Sequence, residues 1–325
     1  MIGRRAILSG LAAAGALAAR GAVAGKPQAP AAPLPRDLSG IWTNAWYTKL
    51  QRPKELKTLV VTPAEAEAFE KPRRAHAGEL IDHEHDVVGQ AESEFPDNGP
   101  GLARIGGQIR SSWITDPPDG RLPWKPGIKK ALLLGEDNPL DNPEDRDPDE
   151  RCVTREGGAA PLLNAHDANI TAIVQGGEAL VIVGEKLHET RIVRIVGSAA
   201  EAALPDPRAA GITQPDGVAI GWWEGRTLVV RNTGLAGHSK LADDLWLSGS
   251  GVVTERFTRT AADEILYAFE VEDPAFFTRT WKAEMVFRRA EGRLFEYACH
   301  EGNYGITDIL TAARRMEAAK GGAGK

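Results

Sequence analysis

The second half of this chain is a run of short Val- and Ile-rich segments separated by tight turns, and few folds accept that pattern. Residues 168–174, 179–183 and 186–196 come first, with Gln175-Gly176-Gly177-Glu178 between the first two as a hairpin turn. Then follow 218–223, the Glu224-Gly225 turn, and 227–231. The last segments are 251–258, 264–272, 280–288 and 294–299. Consecutive short strands with tight connections predict an antiparallel meander. Eight or more such strands must curl closed or stack as two sheets. The fold class expected is therefore mainly β: an antiparallel meander closing into a barrel over 166–304. Ile306, Ile309, Leu310 and Ala313 recur at helical spacing, which predicts a C-terminal helix over 305–320 packed on the sheet.

The first half reads differently. Arg4-Arg5, the apolar run 6–19 and the small residues Ala22-Val23-Ala24 form an export signal of twin-arginine type with a cut after Ala24. The apolar run is too short and too rich in Ala and Gly to span a bilayer, which needs roughly 20 apolar residues. A periplasmic or secreted protein is expected, with no integral membrane segment after cleavage. Residues 25–36 read as a Pro/Ala-rich linker. About 290 residues remain, read as a single β-rich domain over 37–325. Within it, 37–165 is irregular and reads as lid and loops. Ile41-Trp42 looks like a short strand, and 109–115 looks like another that ends in the Asp116-Pro117-Pro118-Asp119-Gly120 turn. Thr62-Pro63-Ala64-Glu65 is a capping box, so a helix is expected from there to Lys71, stopping before Pro72.

Charge and cysteine content narrow the partners. A formal net charge of −6 argues against nucleic acid, which selects a basic surface. The two cysteines, Cys152 and Cys299, suit a disulfide in an oxidising compartment, although two buried thiols that never meet are also compatible with the sequence. His83-Glu84-His85 admits a metal reading, but spacing fixes no third ligand, so neither a metal nor a cofactor is assigned. The chain lacks a Gly-x-Ser-x-Gly elbow, a P-loop, a Gly-x-Gly-x-x-Gly fingerprint and a His-Glu-x-x-His motif. Elbow-type serine hydrolases, kinases and nicotinamide dehydrogenases are disfavoured accordingly.

The densest polar cluster is Glu296-Tyr297-Ala298-Cys299-His300-Glu301-Gly302-Asn303-Tyr304, at an expected strand-to-helix junction. Histidine suits acid or base work, which makes His300 a candidate; the competing reading is that His300 and Asn303 merely cap the final helix. His188 lies on the expected strand 186–196, sharing a face with Thr190, Ile192 and Arg194, which would suit a polar cavity or an exposed charged face. The Trp residues, among them Trp113 and Trp223, suit aromatic or sugar recognition but also fill β cores.

Taken together, these motifs resemble a large family of exported bacterial proteins. The resemblance rests on Asp116-Pro117-Pro118-Asp119-Gly120-Arg121, Glu150-Arg151-Cys152, Asn169-Ile170 with Val174-Gln175, and His188 with Arg191-Ile192-Val193. It continues through Trp223-Glu224-Gly225 with Thr227-Leu228-Val229-Val230, Glu255-Arg256-Phe257-Thr258, the Glu296–Tyr304 cluster and Ala312-Ala313-Arg314. It implies a lipocalin- or calycin-like barrel and brings no activity with it. The function expected is an exported enzyme acting on a small aromatic or sugar-derived molecule in the barrel cavity by cofactor-free acid/base chemistry of isomerase, hydratase or lyase type. His300, His188 and Glu301 are its candidate catalytic residues. Arg194, Glu296, Asn303, Tyr304, Trp223 and Trp113 are its candidate substrate-binding residues. The alternative is a binding or carrier protein using the same cavity without turnover, and a weaker one is a metalloprotein using His83 and His85.

Overall fold

The architecture is seen in a computed structural model that describes residues 36–82, 99–130, 132, 142, 151–153, 159–164, 169–202, 214, 216–236, 239–242 and 245–322. These belong to one compact unit, Leu34–Lys325. The expected signal peptide, the linker up to residue 35, and His83 and His85 lie outside the described residues.

Fifteen strands among the described residues carry the fold. The first five are β1 (Gly40–Thr43), β2 (Val60–Val61), β3 (Arg104–Ile105), β4 (Gln108–Arg110) and β5 (Ile114–Asp116). The next five are β6 (Ile170–Gln175), β7 (Ala179–Gly184), β8 (Thr190–Val196), β9 (Val218–Glu224) and β10 (Thr227–Thr233). The last five are β11 (Ser239–Ala242), β12 (Leu245–Leu247), β13 (Val252–Ala261), β14 (Glu264–Glu272) and β15 (Trp281–Arg289). The main sheet runs β1-β6-β7-β8-β9-β10-β13-β14-β15, and pairing of Trp42 with Arg289 joins β15 back to β1. Nine strands thus close a barrel, the calycin-like class expected. Strand β5 adds to β15 beside the closure.

The meander has one exception. Strand β9 pairs with β8 in parallel, Val193 opposite Ala219. Parallel neighbours need a crossover of a dozen or more residues, and 197–217 separates β8 from β9 in sequence. Two segments outside the expected barrel range also contribute: β1 closes the ring and β5 flanks it, although both fall in the stretch read as lid and loops. The expected strand 109–115 is divided into β4 and β5 by Ser111-Ser112-Trp113.

Helix α1 (Pro63–Asp82) runs past the stop expected before Pro72. A mid-helix proline removes one backbone bond and costs about 3 kcal/mol. Here Arg74 spans it, pairing with Glu70 at 2.8 Å and Glu67 at 2.7 Å. The capping box also holds, with Thr62 N–H donating to Glu65 Oε2 at 2.8 Å. The expected strand 294–299 does not form: 291–298 is irregular and α2 (Cys299–Gly302) is a short helix. Because β15 has neighbours on both sides, closure leaves it no edge for a further strand. Helix α3 (Tyr304–Gly322) follows as expected, but it lies largely in solvent and of its described side chains only Ala313 is buried. No helix among the described residues is long and apolar enough to cross a membrane.

Alternation along the strands places the core. Ile265, Tyr267, Phe269 and Val271 of β14 are all buried, as are Val253, Glu255 and Phe257 of β13. The interior also takes in a stretch of the first half, residues 159–164. Ala160, Leu162 and Leu163 join the central cluster, and Leu162 N–H donates to Tyr267 Oη at 2.9 Å. Asn164 fixes the end of this stretch by accepting from Trp113 Nε1 at 2.9 Å and donating to the carbonyls of Trp46 and Thr48.

Candidate functional site

The sequence points to two imidazoles in the barrel's hollow, but the structure arranges the polar groups otherwise. The interior is lined by aromatic and aliphatic side chains, takes in 159–164, and carries a buried polar cluster around Glu255. Arg191 of β8 makes a two-pronged contact with Glu255 of β13, Nη1 to Oε2 at 2.7 Å and Nη2 to Oε1 at 3.0 Å. Asn232 of β10 accepts from Arg191 Nη1 at 3.1 Å and donates to Glu255 Oε2 at 2.6 Å. Tyr267 Oη donates to Glu255 Oε1 at 2.6 Å. The Arg191 and Glu255 side chains are 2% and 0% exposed. Burial, reinforced by the Glu255 carboxylate, pushes the Tyr267 phenol well above its ordinary range, so it stays a neutral donor. Burial opposes the Arg191 charge, but Glu255 outweighs it and raises the guanidinium's affinity for its proton.

Arg191 and not Arg194 is therefore the arginine that enters the barrel. The face read as cavity-lining, with Thr190, Ile192 and Arg194, is the outer one, and all three are exposed. The opposite face carries Arg191 and Val193, both at most 3% exposed. Both faces of this strand are mixed in the sequence, so alternation alone did not say which turns inward.

His188 lies outside the strand. It ends a 3-10 turn, Lys186–His188, that joins β7 to β8. Its ring is in solvent, and its Nε2 accepts the Tyr297 backbone N–H at 3.2 Å. Glu185 Oε1 accepts the Phe295 N–H at 2.9 Å, and Lys186 Nζ stands 5.9 Å from the Tyr297 ring centre. The stretch 295–297 is thus laid against the β7–β8 turn. The disulfide Cys152–Cys299 anchors the residues after it, with the two Cα atoms 5.9 Å apart, and Asn303 Nδ2 donates to Cys152 Sγ at 3.3 Å. The pairing expected of the cysteines is present.

Three described non-glycine residues have left-handed backbone, and all three belong to this junction: Cys152 (φ 52°), Leu187 (φ 57°) and His188 (φ 51°). Such conformations are disfavoured for β-substituted residues and persist only where surrounding structure enforces them.

The junction therefore gathers His188 and, through chain continuity, Glu296, His300, Glu301, Asn303 and Tyr304. Of these, Glu296, His300, Glu301 and Tyr304 are exposed and Asn303 is half-buried. They lie on the outer surface, a correction to the cavity expected for them. Trp113 and Trp223 lie elsewhere. Trp113 is fully buried and spends its N–H on Asn164, so it belongs to the core. Trp223 is half-buried near the end of β9, the end away from His188, with the Arg36 guanidinium 5.7 Å from its ring centre. Sequence reasoning missed Glu185 and Lys186, which seat the Phe295–Tyr297 stretch, and it missed the Arg191–Glu255 cluster. Inward parity of Glu255 between Val253 and Phe257 was the available signal.

Compared with known proteins, the chain matches no protein-family model, no curated protein and no solved structure.

Proposed function

We propose that the protein is an exported small-molecule-binding protein and that its ligand is read at the His188 junction, outside the barrel. The observation that carries this reading is the Tyr297 N–H to His188 Nε2 bond. A neutral imidazole that accepts at Nε2 holds its proton at Nδ1, so the fixed ring presents a donor and has no free basic nitrogen. That suits holding a ligand oxygen better than removing a proton. Phe295 and Tyr304, 69% and 76% exposed, offer flat apolar surfaces in the stretch that carries Tyr297, and these suit an aromatic or sugar-derived ring. Export is supported by the disulfide, which persists in oxidising compartments.

A second reading, an enzyme of isomerase, hydratase or lyase type, is favoured by the concentration of left-handed residues at the junction, since backbone strain collects at active sites. His300 would then be the proton carrier and His188 the group that holds the substrate oxygen.

Native mass spectrometry against a panel of phenolic compounds and sugar acids tests both. The variant to compare is His188→Asn, because Asn tolerates left-handed backbone and removes the ring. Retention of one compound class by the wild-type protein, weakened about tenfold in the variant, is expected for loss of one well-placed hydrogen bond and its packing. Equal retention by both proteins contradicts the binding site. Consumption of the retained compound, lost in His300→Ala while binding persists, replaces binding by catalysis.

A further inference from the structure

The tryptophans outside the junction divide unevenly. Four indole N–H groups find acceptors at 2.9 Å: Trp42 on the Leu38 carbonyl, Trp46 on the Val286 carbonyl, Trp113 on Asn164 Oδ1 and Trp222 on Glu224 Oε1. Among the described residues, two indole N–H groups are sealed from solvent with no acceptor, those of Trp124 and Trp281. Both stand beside one ring. Trp124 lies 4.6 Å and Trp281 5.9 Å, centre to centre, from the same ring, Phe277. Trp246 and Phe276 stand 6.1 and 6.3 Å from Trp124, and Phe269 stands 5.7 Å from Trp281. The cluster forms where the 122–128 stretch crosses the connection from β14 to β15, with Lys125 N–H donating to the Phe276 carbonyl at 2.8 Å.

We propose that this aromatic cluster is a binding site, separate from the junction, for a neutral ring-bearing molecule that carries a hydrogen-bond-accepting oxygen, of which an aromatic ketone is the simplest case. Buried polar groups in folded proteins nearly always have partners, so two orphan donors against one ring mark a place where acceptor oxygen belongs. The surrounding rings are uncharged and favour edge-to-face or offset contact with another flat ring, which selects a neutral aromatic body. Trp281 is fully buried at the start of β15, whereas Trp124 is only half-buried, so the site is reached from the Trp124 side.

Calorimetric titration of the whole protein with acetophenone and with α-methylstyrene tests this, because the second has the first's shape with a methylene in place of the carbonyl oxygen. Saturable binding of one acetophenone, at least about tenfold tighter than α-methylstyrene, is the expected result. Trp124→Phe keeps a ring and removes one donor, and it should shrink that preference to threefold or less. Trp222→Phe, on an indole outside the cluster, should retain it in full. Indole N–H resonances of Trp124 and Trp281 should shift with acetophenone in the unaltered protein, a readout that needs no variant to fold. Equal affinity for the two compounds, no saturable binding, an undiminished preference in Trp124→Phe, or unmoved resonances of both indoles overturns the proposal.

Discussion

The barrel interior and the junction at its β7–β8 turn are built from similar side chains put to opposite uses. Inside, Arg191, Asn232 and Tyr267 all donate to the Glu255 carboxylate, and none of the four is open to solvent. At the junction, Glu296, His300 and Glu301 stand in water, and the His188 ring is held by a backbone N–H. A buried ion pair is bound to the fold, because removing one partner leaves an uncompensated charge in low dielectric. An exposed group fixed by one bond keeps its remaining capacity for a ligand. Residue type did not separate the two regions; burial did.

The comparison breaks most readily at Arg191. Arg191→Met leaves Glu255 buried and unpaired, so a loss of about 3–5 kcal/mol in urea denaturation is expected. Adding Glu255→Gln should recover a large part of it. A single-variant loss below about 1 kcal/mol would mean that the cluster is solvated after all. Next in size is the disulfide. Replacing both Cys152 and Cys299 by serine should lower stability by about 2–4 kcal/mol, because the bridge closes a 147-residue separation. Proteolysis should at the same time cut 291–322 first, since that stretch has few buried contacts.

Tyr267→Phe is smaller. It leaves the Leu162 N–H without its acceptor and should destabilise by about 1–3 kcal/mol. It should also change the alkaline limb of the stability curve. The phenol's folded affinity for its proton is raised, so above pH about 10 the unfolded chain releases a proton that the folded chain retains. Stability therefore falls as pH rises beyond about 10, and denaturation followed across that range should show less of this fall in Tyr267→Phe. Smallest of all is His188→Asn, for which less than about 1 kcal/mol of stability should accompany the loss of binding; a larger destabilisation would move the ring from the ligand to the fold.

Much of the barrel was legible in the sequence. Gly176-Gly177, Glu224-Gly225 and the period-two runs around Glu255 and Tyr267 specify hairpins and an inward face by local chemistry alone. What escaped depends on long-range events. The parallel β8–β9 pair follows from where the chain re-enters the sheet after 197–217, and the irregular 291–298 follows from closure having used both sides of β15. The junction was half legible. The density of polar groups in Glu296–Tyr304 singled it out, and the cysteine pairing agreed. Its docking on Glu185 and His188 is made by backbone N–H groups of Phe295 and Tyr297, and no side-chain pattern announces a backbone donor.

The imidazole of His188 offers the most direct test of the junction account. Long-range ¹H–¹⁵N correlation spectra, recorded well above the ordinary imidazole pKa of about 6.5, distinguish its two nitrogens. A single tautomer is predicted, with the proton on Nδ1 and Nε2 unprotonated, its signal moving when a ligand from the retained class is added. A proton on Nε2, or an averaged signal from a freely exchanging ring that no ligand perturbs, would contradict the account.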